Sequence, residues 1–364
     1  MTVRVLHLID TLSAGGAERM AVNLANGLAQ RGMVCSLCAT RREGPLKKEL
    51  SPEVRFFYLN RQARFDIAAI ARLSRFVKEN SIQIIHAHSS SVFLAVLIKL
   101  LHPQIRVIWH DHYGGLSVAK RSAFLYRPVI QNVYGVIAVN HELAEWSANQ
   151  LGVPRSRIRY IPNFVMDTRK GLMGDLPGSK GFRIICVANL RPQKDHLTLI
   201  QAMKTVIAQE PRAHLILIGS DKDRETSQKI WKEISLLGLE SSITWLGSRE
   251  DVQDVLVNCD IGVLSSASEG LPLVLLEYGA TGLPVVSTDV GDCAEVLDHG
   301  NAGVLVPTGS SQALAEGLIR LLKDPTLRST LGSCLNTRVL QKFSPTAALD
   351  QVEAFYKTVL MEDW

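Results

Sequence analysis

The sequence predicts an α/β protein with two doubly wound domains, each a parallel sheet covered by helices. Short apolar runs rich in β-branched residues alternate with longer helical patterns along the whole chain, which is typical of βαβ units. The chain has 364 residues, which corresponds to two domains at about 100–200 residues each. A glycine-rich segment without periodicity lies near its middle. We therefore expect two domains of similar size that face a central cleft.

The candidate strands are short and largely apolar, as expected for strands buried on both faces. The first half contains Val3–Ile9, Met33–Thr40, Val54–Tyr58, Ile82–Ala87, Ile105–Trp109 and Gly135–Val139. The second half contains Phe182–Ala188, His214–Ile218, Ile243–Trp245, Ile261–Leu264, Pro284–Ser287 and Gly303–Val306. Both sets predict parallel sheets with helical connections.

The helical stretches between the strands carry apolar residues at helical spacing. In Ala17–Ala29, an apolar face is followed by Gly32 just past the end, which is a helix-stop signal. The final segment, Pro345–Leu360, has one apolar stripe and predicts an amphipathic helix. The residues of that stripe are Val352, Phe355, Tyr356 and Val359.

The domain boundaries follow from composition. Residues 167–181 contain four glycines and one proline without a usable period, so we expect a linker there. This predicts an N-terminal domain over residues 1–166, a C-terminal domain over 182–344, and a C-terminal helix over 345–364.

Composition and charge exclude several classes of protein. A net charge of +5, with 46% hydrophobic and 21% charged residues, excludes a disordered or collagen-like chain. The charge is too small to indicate nucleic-acid binding, but it suits a protein that handles anions, such as a phosphate or a membrane surface. The most apolar stretch, Val92–Leu101, is interrupted by Lys99 and is too short to span a bilayer. With no signal-peptide pattern at the N-terminus, we expect a cytoplasmic protein.

Cysteine usage indicates packing rather than a disulfide framework. Six cysteines in this length are too sparse for a disulfide scaffold. Cys35 and Cys38 form a C-x-x-C on a predicted strand, where their odd separation puts the thiols on opposite faces. We expect both to pack in the core.

Ligands of doubly wound domains bind beyond the carboxyl ends of the strands, so the residues that follow each strand are the site candidates. After the first strand, Gly15 and Gly16 lead into a helix whose free N–H groups could bind a phosphate. The alternative is that these glycines only permit the turn. No G-x-G-x-x-G is present, and Arg41-Arg42 stand where a dinucleotide site would have an acidic residue.

A second candidate is the segment from Ser268 to Glu277. Pro272 suits the first helical position, so Glu269 lies in the loop and Glu277 inside the helix. The N–H groups around Gly270 and Leu271 would then face a ligand. A carboxylate in the apolar setting of Glu277 requires a partner such as a ribose or sugar hydroxyl. The alternative is a capping or salt-bridged pair.

A third candidate is the cluster from Asn189 to Asp195, which follows the first strand of the second half. Its two cations, Arg191 and Lys194, could neutralise a diphosphate at a strand's carboxyl end. The alternative is a solvated surface loop.

Four histidines complete the candidates: His86, His88, His110 and His112. Their spacing of two imitates a metal pair, but no carboxylate or cysteine cluster completes a site, so we expect no metal. His110 is favoured as an active-site residue because it ends a strand beside Asp111, although the sequence leaves His112 open.

These segments together resemble family 4 of the retaining glycosyltransferases, which have the two-Rossmann GT-B architecture, over nearly the whole chain. The most specific segment is Glu269 to Glu277, with its seven intervening residues. The other segments that carry the likeness are Gly15-Gly16-Ala17-Glu18-Arg19, His110-Asp111, Ile161-Pro162-Asn163, Arg191-Pro192-Gln193-Lys194, Gly282-Leu283-Pro284-Val285-Val286, Asp289-Val290-Gly291 and Glu295.

The resemblance implies a role for each candidate. The glycine loop with Gly16 would face the donor diphosphate, and His110 would lie near the transferring sugar. Glu269 would contact sugar hydroxyls, Glu277 the nucleotide ribose, and Lys194 the phosphates. The remaining donor-binding candidates are Gly15, Asn189, Gly270 and Leu271.

The resemblance also implies the reaction. A sugar would pass, with retention of configuration, from a nucleotide diphosphate sugar, with UDP expected, to a glycan or lipid-linked acceptor in cell-surface polysaccharide or glycolipid synthesis. The leaving phosphate would take the acceptor's proton, with no cofactor and no metal if Lys194 and Arg191 supply the charge. The C-terminal helix would return to the first domain.

Two departures from the family pattern stand out. Asn189 occupies the position, five residues before Lys194, where the family often has arginine, so Arg191 would supply that charge. Phe164 replaces the glycine of a Pro-Asn-Gly motif near the hinge.

The acceptor is expected against the first domain. Val92–Leu101 and Lys120–Arg127 are apolar and basic, which would suit a lipid-linked acceptor and peripheral contact with the inner face of the cytoplasmic membrane. A buried helix and a solvated turn explain the same composition. The alternative functions are a nucleotide-sugar epimerase or phosphorylase of this architecture, and a non-catalytic sugar- or nucleotide-binding protein.

Overall fold

The computed structural model describes residues 2–13, 15–112, 121–166 and 175–361. These residues form two compact units. Unit 1 comprises the chain up to Phe164 together with the segment from Pro345 onward, and unit 2 comprises Val165–Ser344. Each unit has one parallel sheet with helices, which confirms the predicted α/β class.

Unit 1 contains a seven-stranded sheet with the order β3-β2-β1-β4-β5-β6-β7, parallel throughout. The strands are β1 Arg4–Thr11, β2 Val34–Arg42, β3 Arg55–Tyr58, β4 Ile84–His88, β5 Arg106–Asp111, β6 Gly135–Ala138 and β7 Ile158–Tyr160. The helices are α1 Gly16–Gln30, α2 Ile67–Glu79, α3 Val92–Leu101, α4 Ala123–Ile130 and α5 His141–Asn149, with α13 Pro345–Met361 from the end of the chain.

Unit 2 contains a six-stranded sheet with the order β10-β9-β8-β11-β12-β13, also parallel throughout. The strands are β8 Arg183–Val187, β9 His214–Ile218, β10 Ile243–Trp245, β11 Ile261–Leu264, β12 Val285–Thr288 and β13 Val304–Val306. The helices are α6 His196–Gln209, α7 Arg224–Leu236, α8 Val252–Leu256, α9 Leu273–Ala280, α10 Cys293–Val296, α11 Ser311–Lys323 and α12 Pro325–Lys342.

The predicted strands match the observed ones within one or two residues at each end. One observed strand was not predicted. β7 has three half-buried residues and forms by pairing with β6, so no apolar run marks it in the sequence. Cys35 and Cys38 are both buried on β2, and burial raises the pKa of Cys35 to about 12. Both therefore pack as the sequence predicts.

Helix α13 packs on unit 1 because its apolar stripe is buried there. Its Leu349 lies against Gly27 of α1, where a Cβ atom would stand 2.6 Å from the Leu349 Cδ1. Arg31, at the end of α1, pairs with Asp350 at 2.6 Å and with Glu353 at 3.0 Å. Gly27 therefore lets Leu349 pack closely against α1, and the ion pairs of Arg31 join the two helices.

Helix α3 supports one of the two interpretations of its composition. Most of Val92–Leu101 is buried in the core of unit 1, as expected for a buried helix, and Leu100 and Leu101 at its end are exposed. Lys99 is itself buried, and its Nζ donates to the carbonyl oxygens of Pro103 at 3.1 Å and Ile105 at 3.0 Å. Burial lowers the pKa of Lys99. Among the described helices, none combines the length and the apolar character that a membrane-spanning helix needs.

The segment between the two sheets is described only in part. Residues 167–174 of the predicted linker lie outside the described residues. The end of that linker packs on unit 2, where the Gly181 N–H donates to Asp260 at 2.8 Å. Phe164 is fully buried in unit 1, and its carbonyl oxygen accepts from Asn23 at 3.3 Å.

Tyr278 of α9 supports the centre of the second sheet. β8 and β11 pair through only two residue pairs, Ile184 with Ile261 and Ile185 with Gly262. The buried Tyr278 hydroxyl accepts from the Val187 N–H at 3.0 Å and lies 3.2 Å from the Ile185 oxygen. Gly262 makes room for the ring, since a Cβ there would stand 2.7 Å from Tyr278. The hydroxyl thus replaces strand pairing where β8 and β11 separate.

We predict that Tyr278→Phe lowers the free energy of unfolding of unit 2 by roughly 1–3 kcal/mol, because the half-buried Val187 N–H loses its acceptor. Urea denaturation followed by circular dichroism measures the change. Tyr58→Phe removes a hydroxyl at an exposed position and should change the free energy by no more than about 0.5 kcal/mol. Equal midpoints for the two variants would contradict the bridging role.

Candidate active site

Each sheet has a topological switch point, between β1 and β4 in unit 1 and between β8 and β11 in unit 2. The connections from these paired central strands leave in opposite directions, which opens a crevice at their carboxyl ends. The candidate residues of the sequence follow these strands or their neighbours.

In unit 2 the loop after β8 is held by its own polar groups. The Asn189 Oδ1 accepts from the Ser220 N–H at 2.9 Å, so this side chain fastens the loop to the one that follows β9. Asp195 has left-handed backbone (φ 46°) and caps α6 by accepting from the Thr198 N–H. Lys194 ends the short turn between them. Its backbone is fixed by the bond from its own N–H to the Arg191 carbonyl oxygen at 3.0 Å.

Lys194 and Glu269 meet at the carboxyl edge of the second sheet. The Lys194 Nζ contacts the Glu269 Oε1, and the Ser266 hydroxyl donates to the same oxygen at 2.6 Å. The Ser265 hydroxyl donates to the Lys194 carbonyl oxygen at 2.9 Å. The side chains of Lys194 and Glu269 remain 23% and 11% exposed. The loops after β8 and β11 therefore present a cation and a carboxylate side by side, accessible to a ligand.

A third loop fixes the backbone at Glu269. The Asp292 N–H donates to the Gly270 carbonyl oxygen at 2.8 Å. Gly291 has φ of +53°, and a Cβ there would stand 2.5 Å from the Glu269 carbonyl oxygen. Glycine at 291 is therefore required by backbone conformation and by space, and the loop after β12 sets where Glu269 lies.

Helix α9 begins one residue later than the sequence predicts. Pro272 is its N-cap and Leu273 its first residue, so the expectation of Pro272 at the first helical position is wrong by one. Leu271 is buried, and Glu277 lies half-buried just over one turn into the helix. Arg191 is exposed at the start of the turn that ends with Lys194.

In unit 1 the glycine pair starts α1, with Gly15 as its extended N-cap and Gly16 as its first residue. Ala14 lies outside the described residues. The carboxylate of Glu18 covers Gly15 closely enough that a Cβ there would collide with it. The Glu18 Oε1 also accepts from the Thr11 hydroxyl at 2.8 Å. An acidic group therefore already lies at the positive end of α1, and a side chain at position 15 would have to displace the Glu18 carboxylate.

The four histidines of the sequence analysis come together with a fifth, His7 of β1, at the first switch point. His7 and His88 share a hydrogen bond of 3.2 Å, and His88 bonds His112 at 3.0 Å. His86 bonds His110 at 3.0 Å, and the Tyr356 hydroxyl of α13 lies 2.5 Å from the His86 Nδ1. Stacked rings on adjacent parallel strands therefore form two hydrogen-bonded chains on one face of the sheet.

Burial keeps these histidines neutral. It lowers the pKa values of His7 and His112 to about 3, and lowers those of His86, His88 and His110 well below their usual range. Two sets of three rings, sharing His88, have nitrogens within 4.8 Å of one another. His7 lies outside the histidine pairs at a spacing of two and was not among the predicted site residues. Its one signal in the sequence is a polar residue inside an apolar strand.

Asp111 does not orient His110, because its carboxylate pairs with Arg121 instead. Consecutive residues of a strand point to opposite faces, and Asp111 pairs with Arg121 at 2.5 Å on the other side of the sheet. The Arg121 guanidinium lies over Tyr126, Trp146 and Trp109 at 4.0, 4.4 and 4.7 Å.

With 5% of its side chain exposed, Arg121 is a buried structural cation, so the expectation that it contributes to a basic surface is wrong. Lys120 lies outside the described residues.

Asp10 is a second residue that sequence reasoning missed. It ends the apolar part of β1 beside the first switch point and accepts from the Ser90 hydroxyl at 2.7 Å and the Thr40 hydroxyl at 2.5 Å. The available signal was an acidic residue directly after an apolar run. Asp10 ties the edges of β1, β2 and β4 together.

Comparison with known proteins shows that both units match glycosyltransferase family models. The family model described as Glycosyltransferase Family 4 matches residues 14–169, and the model described as Glycosyl transferases group 1 matches residues 181–324. The chain therefore belongs to the GT-B glycosyltransferases of the family 4-like type, and it is a glycosyltransferase.

Individual relatives agree across the whole length. The chain is 26% identical to N-acetyl-alpha-D-glucosaminyl L-malate synthase of Bacillus anthracis, over 96% of each protein. It is 23% identical to UDP-Gal:alpha-D-GlcNAc-diphosphoundecaprenol alpha-1,3-galactosyltransferase of Escherichia coli, over 97% of this chain and 96% of the relative. Anabaena HepE, solved in complex with UDP and glucose, is similar in fold with a TM-score of 0.83 and 20% identity, over 98% of this chain and all (100%) of that one.

We predict that unit 1 loses stability as the pH falls below about 6.5. The histidines bind protons in the unfolded chain at this pH, whereas burial keeps them neutral in the folded chain. Each buried histidine lowers the free energy of unfolding by up to about 1.4 kcal/mol for every pH unit below its unfolded pKa of 6.5. This loss continues until the pH reaches the folded pKa, which is about 3 for His7. Above pH 6.5 the contribution of the neutral histidines is fully present and constant.

Urea midpoints measured from pH 7.5 to pH 5 test this prediction before most carboxylates titrate. His7→Gln should flatten the slope, whereas His299→Gln, at an exposed position, should not. A slope that is the same in His7→Gln and in the unmodified chain would contradict the burial argument.

Proposed function

We propose that this glycosyltransferase moves a sugar from a UDP-sugar to a glycan or lipid-linked acceptor, with retention of configuration, in cell-surface polysaccharide or glycolipid synthesis. The observation that carries the proposal is the contact between Lys194 and Glu269 at the carboxyl edge of β8 and β11. A cation for a diphosphate and a carboxylate for sugar hydroxyls are needed side by side in such a donor site.

The charges that develop during transfer explain the pairing. Breaking the bond to the diphosphate builds negative charge on the leaving oxygen, which fixed cations stabilise most when they need not reorganise. Lys194 stands on a turn whose backbone is held by neighbouring hydrogen bonds. Arg191 begins the same turn and is exposed, so it can add a second positive charge where Asn189 supplies none.

The two glutamates divide the donor between them in this proposal. Glu269 turns from Lys194 toward the hydroxyls of the sugar once the phosphates bind the lysine. Glu277, one turn into α9, accepts hydrogen bonds from the ribose. The Gly270 and Leu271 backbone leads into that helix. In unit 1, His110 hydrogen-bonds the transferring sugar, and the leaving phosphate takes the acceptor's proton without a metal.

The names of similar proteins support UDP as the nucleotide and include more than one class of acceptor. The similar galactosyltransferase is named for UDP-Gal and a diphosphoundecaprenol acceptor, and HepE was solved with UDP. The similar N-acetyl-alpha-D-glucosaminyl L-malate synthase is named for a small organic acid, L-malate. The lipid-linked choice rests on α4, where Phe124 and Leu125 are 80% and 55% exposed beside the exposed Arg127. These three side chains are the proposed peripheral contact with the inner face of the cytoplasmic membrane.

Lys194→Ala should lower turnover of a UDP-sugar by roughly a hundredfold or more while the fold survives, because the lost cation acts on charge that appears only as the phosphate leaves. Release of UDP from a panel of UDP-sugars, with and without acceptor lipid extracts, measures turnover. Lys229→Ala, which removes an exposed lysine paired on α7, is the matched control.

We expect the unmodified chain to keep its turnover in excess chelator, since Lys194 and Arg191 carry the positive charge. Loss that magnesium or manganese restores would show that these cations do not suffice. Return of an altered UDP-sugar without transfer would indicate an epimerase instead.

Glu277→Gln should weaken binding of UDP by roughly ten- to a hundredfold, because a charge-assisted hydrogen bond to the ribose is lost. Glu269→Gln should leave UDP binding nearly unchanged and lower turnover of the intact donor, because its partners belong to the sugar. Titration calorimetry with UDP compares the two variants. If the variant at 269 damages UDP binding and the one at 277 does not, the two roles are reversed.

A further inference from the structure

The histidines of unit 1 form two chains that differ at their ends. The capped chain runs from the Tyr356 hydroxyl to the His86 Nδ1 at 2.5 Å, and from the His86 Nε2 to the His110 Nδ1 at 3.0 Å. The uncapped chain runs from His7 through His88 to His112. A neutral imidazole carries one proton, so the hydrogen-bond partner of one ring nitrogen decides what the other nitrogen can do.

Tyr356 gives the capped chain a direction. Its side chain is fully buried, and within the described residues its hydroxyl has the His86 Nδ1 as its hydrogen-bond partner. If that hydroxyl only accepted a bond, its own proton would be buried without an acceptor, which is unfavourable. The hydroxyl therefore donates to the His86 Nδ1.

The remaining proton positions follow from this first bond. Because the His86 Nδ1 accepts, His86 carries its proton on Nε2 and donates it to the His110 Nδ1. His110 then carries its own proton on Nε2. Within the part of the chain that the structure describes, the His110 Nε2 is buried and has no hydrogen-bond partner. His110 therefore presents an N–H donor that no described protein atom uses.

The ionisation states allow this arrangement at neutral pH. Burial raises the pKa of Tyr356, so the phenol keeps its proton, and lowers the pKa values of His86 and His110, so each ring carries a single proton. The uncapped chain lacks such a fixed end. The His7 Nε2 has no hydrogen-bond partner among the described residues, so nothing there selects one tautomer for His112. The two chains thus distinguish His110 from His112.

We propose that Tyr356 and His86 are positioning residues that hold His110 in its Nε2–H tautomer, so that His110 donates a hydrogen bond to an oxygen of the donor sugar or of the leaving phosphate. The identity of that oxygen rests on the proposed function. The tautomer itself rests only on the hydrogen bonds of unit 1. The C-terminal helix α13 thereby sets the protonation state of a side chain on β5, 246 residues earlier in the sequence.

The tautomer is measured directly by two-bond ¹H–¹⁵N correlation spectra of the full chain labelled at histidine, with the His110 signals assigned from a His110→Gln sample. In the unmodified chain we expect a protonated Nε2 and an unprotonated Nδ1 for His110. Tyr356→Phe keeps the ring and removes the donor, so the tautomer ratio of His110 should shift toward Nδ1–H by roughly tenfold. A protonated Nδ1 in the unmodified chain, or an unchanged ratio in Tyr356→Phe, overturns the proposal.

A matched variant separates tautomer control from packing. Tyr134→Phe removes the hydroxyl of another buried tyrosine in unit 1, one that packs on Phe355 of the same helix, and it should leave the ratio unchanged. If Tyr356→Phe does not fold, His86→Leu removes the donor to the His110 Nδ1 and should shift the ratio in the same way. A shift in Tyr134→Phe equal to that in Tyr356→Phe overturns the proposal in favour of packing.

Turnover measurements test the second part of the proposal, the hydrogen bond from His110 to the donor. In Tyr356→Phe, kcat for a UDP-sugar should fall by roughly five- to tenfold, while the Kd for UDP stays unchanged, because the nucleotide is assigned to unit 2. A shifted tautomer with unchanged kcat overturns the positioning role. Should the unmodified chain transfer no sugar from any UDP-sugar, the proposed function fails, and the spectra alone decide whether Tyr356 directs the proton of His110.

Discussion

The separation of β8 and β11 at the centre of the second sheet is the constraint on which the candidate site of unit 2 depends. Two parallel strands that pair through only two residue pairs leave backbone groups to be satisfied, and the Tyr278 hydroxyl does so from α9. The loops that leave the separated ends then turn toward each other, and Lys194 meets Glu269. The same helix that supplies Tyr278 carries Glu277. One element therefore supports the sheet and presents part of the candidate site.

Unit 1 differs from unit 2 because it buries several histidine side chains at its switch point. Its five histidines are neutral, and each hydrogen-bonds another ring. Hydrogen bonds between the rings lower the cost of burying them and fix their orientation, while the His7 Nε2 and the His110 Nε2 have no partner among the described residues. On the opposite face of the sheet, Asp111 and Arg121 are buried as an ion pair among aromatic rings. The strand that carries His110 is therefore held from both faces, with α13 as one of the supports.

These arrangements agree with the chemistry of a glycosyltransferase that binds a nucleotide sugar. Unit 2 offers cations and carboxylates at the ends of its central strands, which suits a diphosphate joined to a sugar. Unit 1 offers a neutral histidine, His110, whose proposed role is to donate a hydrogen bond without adding charge. The glycine loop of α1 is less available than its composition suggests, because Glu18 already lies against its positive end. A phosphate at that end would have to displace a carboxylate.

The sequence by itself determined the α/β class, nearly all of the strands, the amphipathic C-terminal helix and the segments in which the candidate residues lie. These are local properties, since periodicity and turn residues act within a few positions of the chain. Only the tertiary structure decided that Asp111 pairs with Arg121 and not with His110, that most of Val92–Leu101 is buried, that β7 exists, and that Tyr356 caps a chain of histidines. The bond from Tyr356 to His86 joins residues 270 positions apart. Contacts of that kind depend on how strands and helices pack, and no local pattern of residues records them.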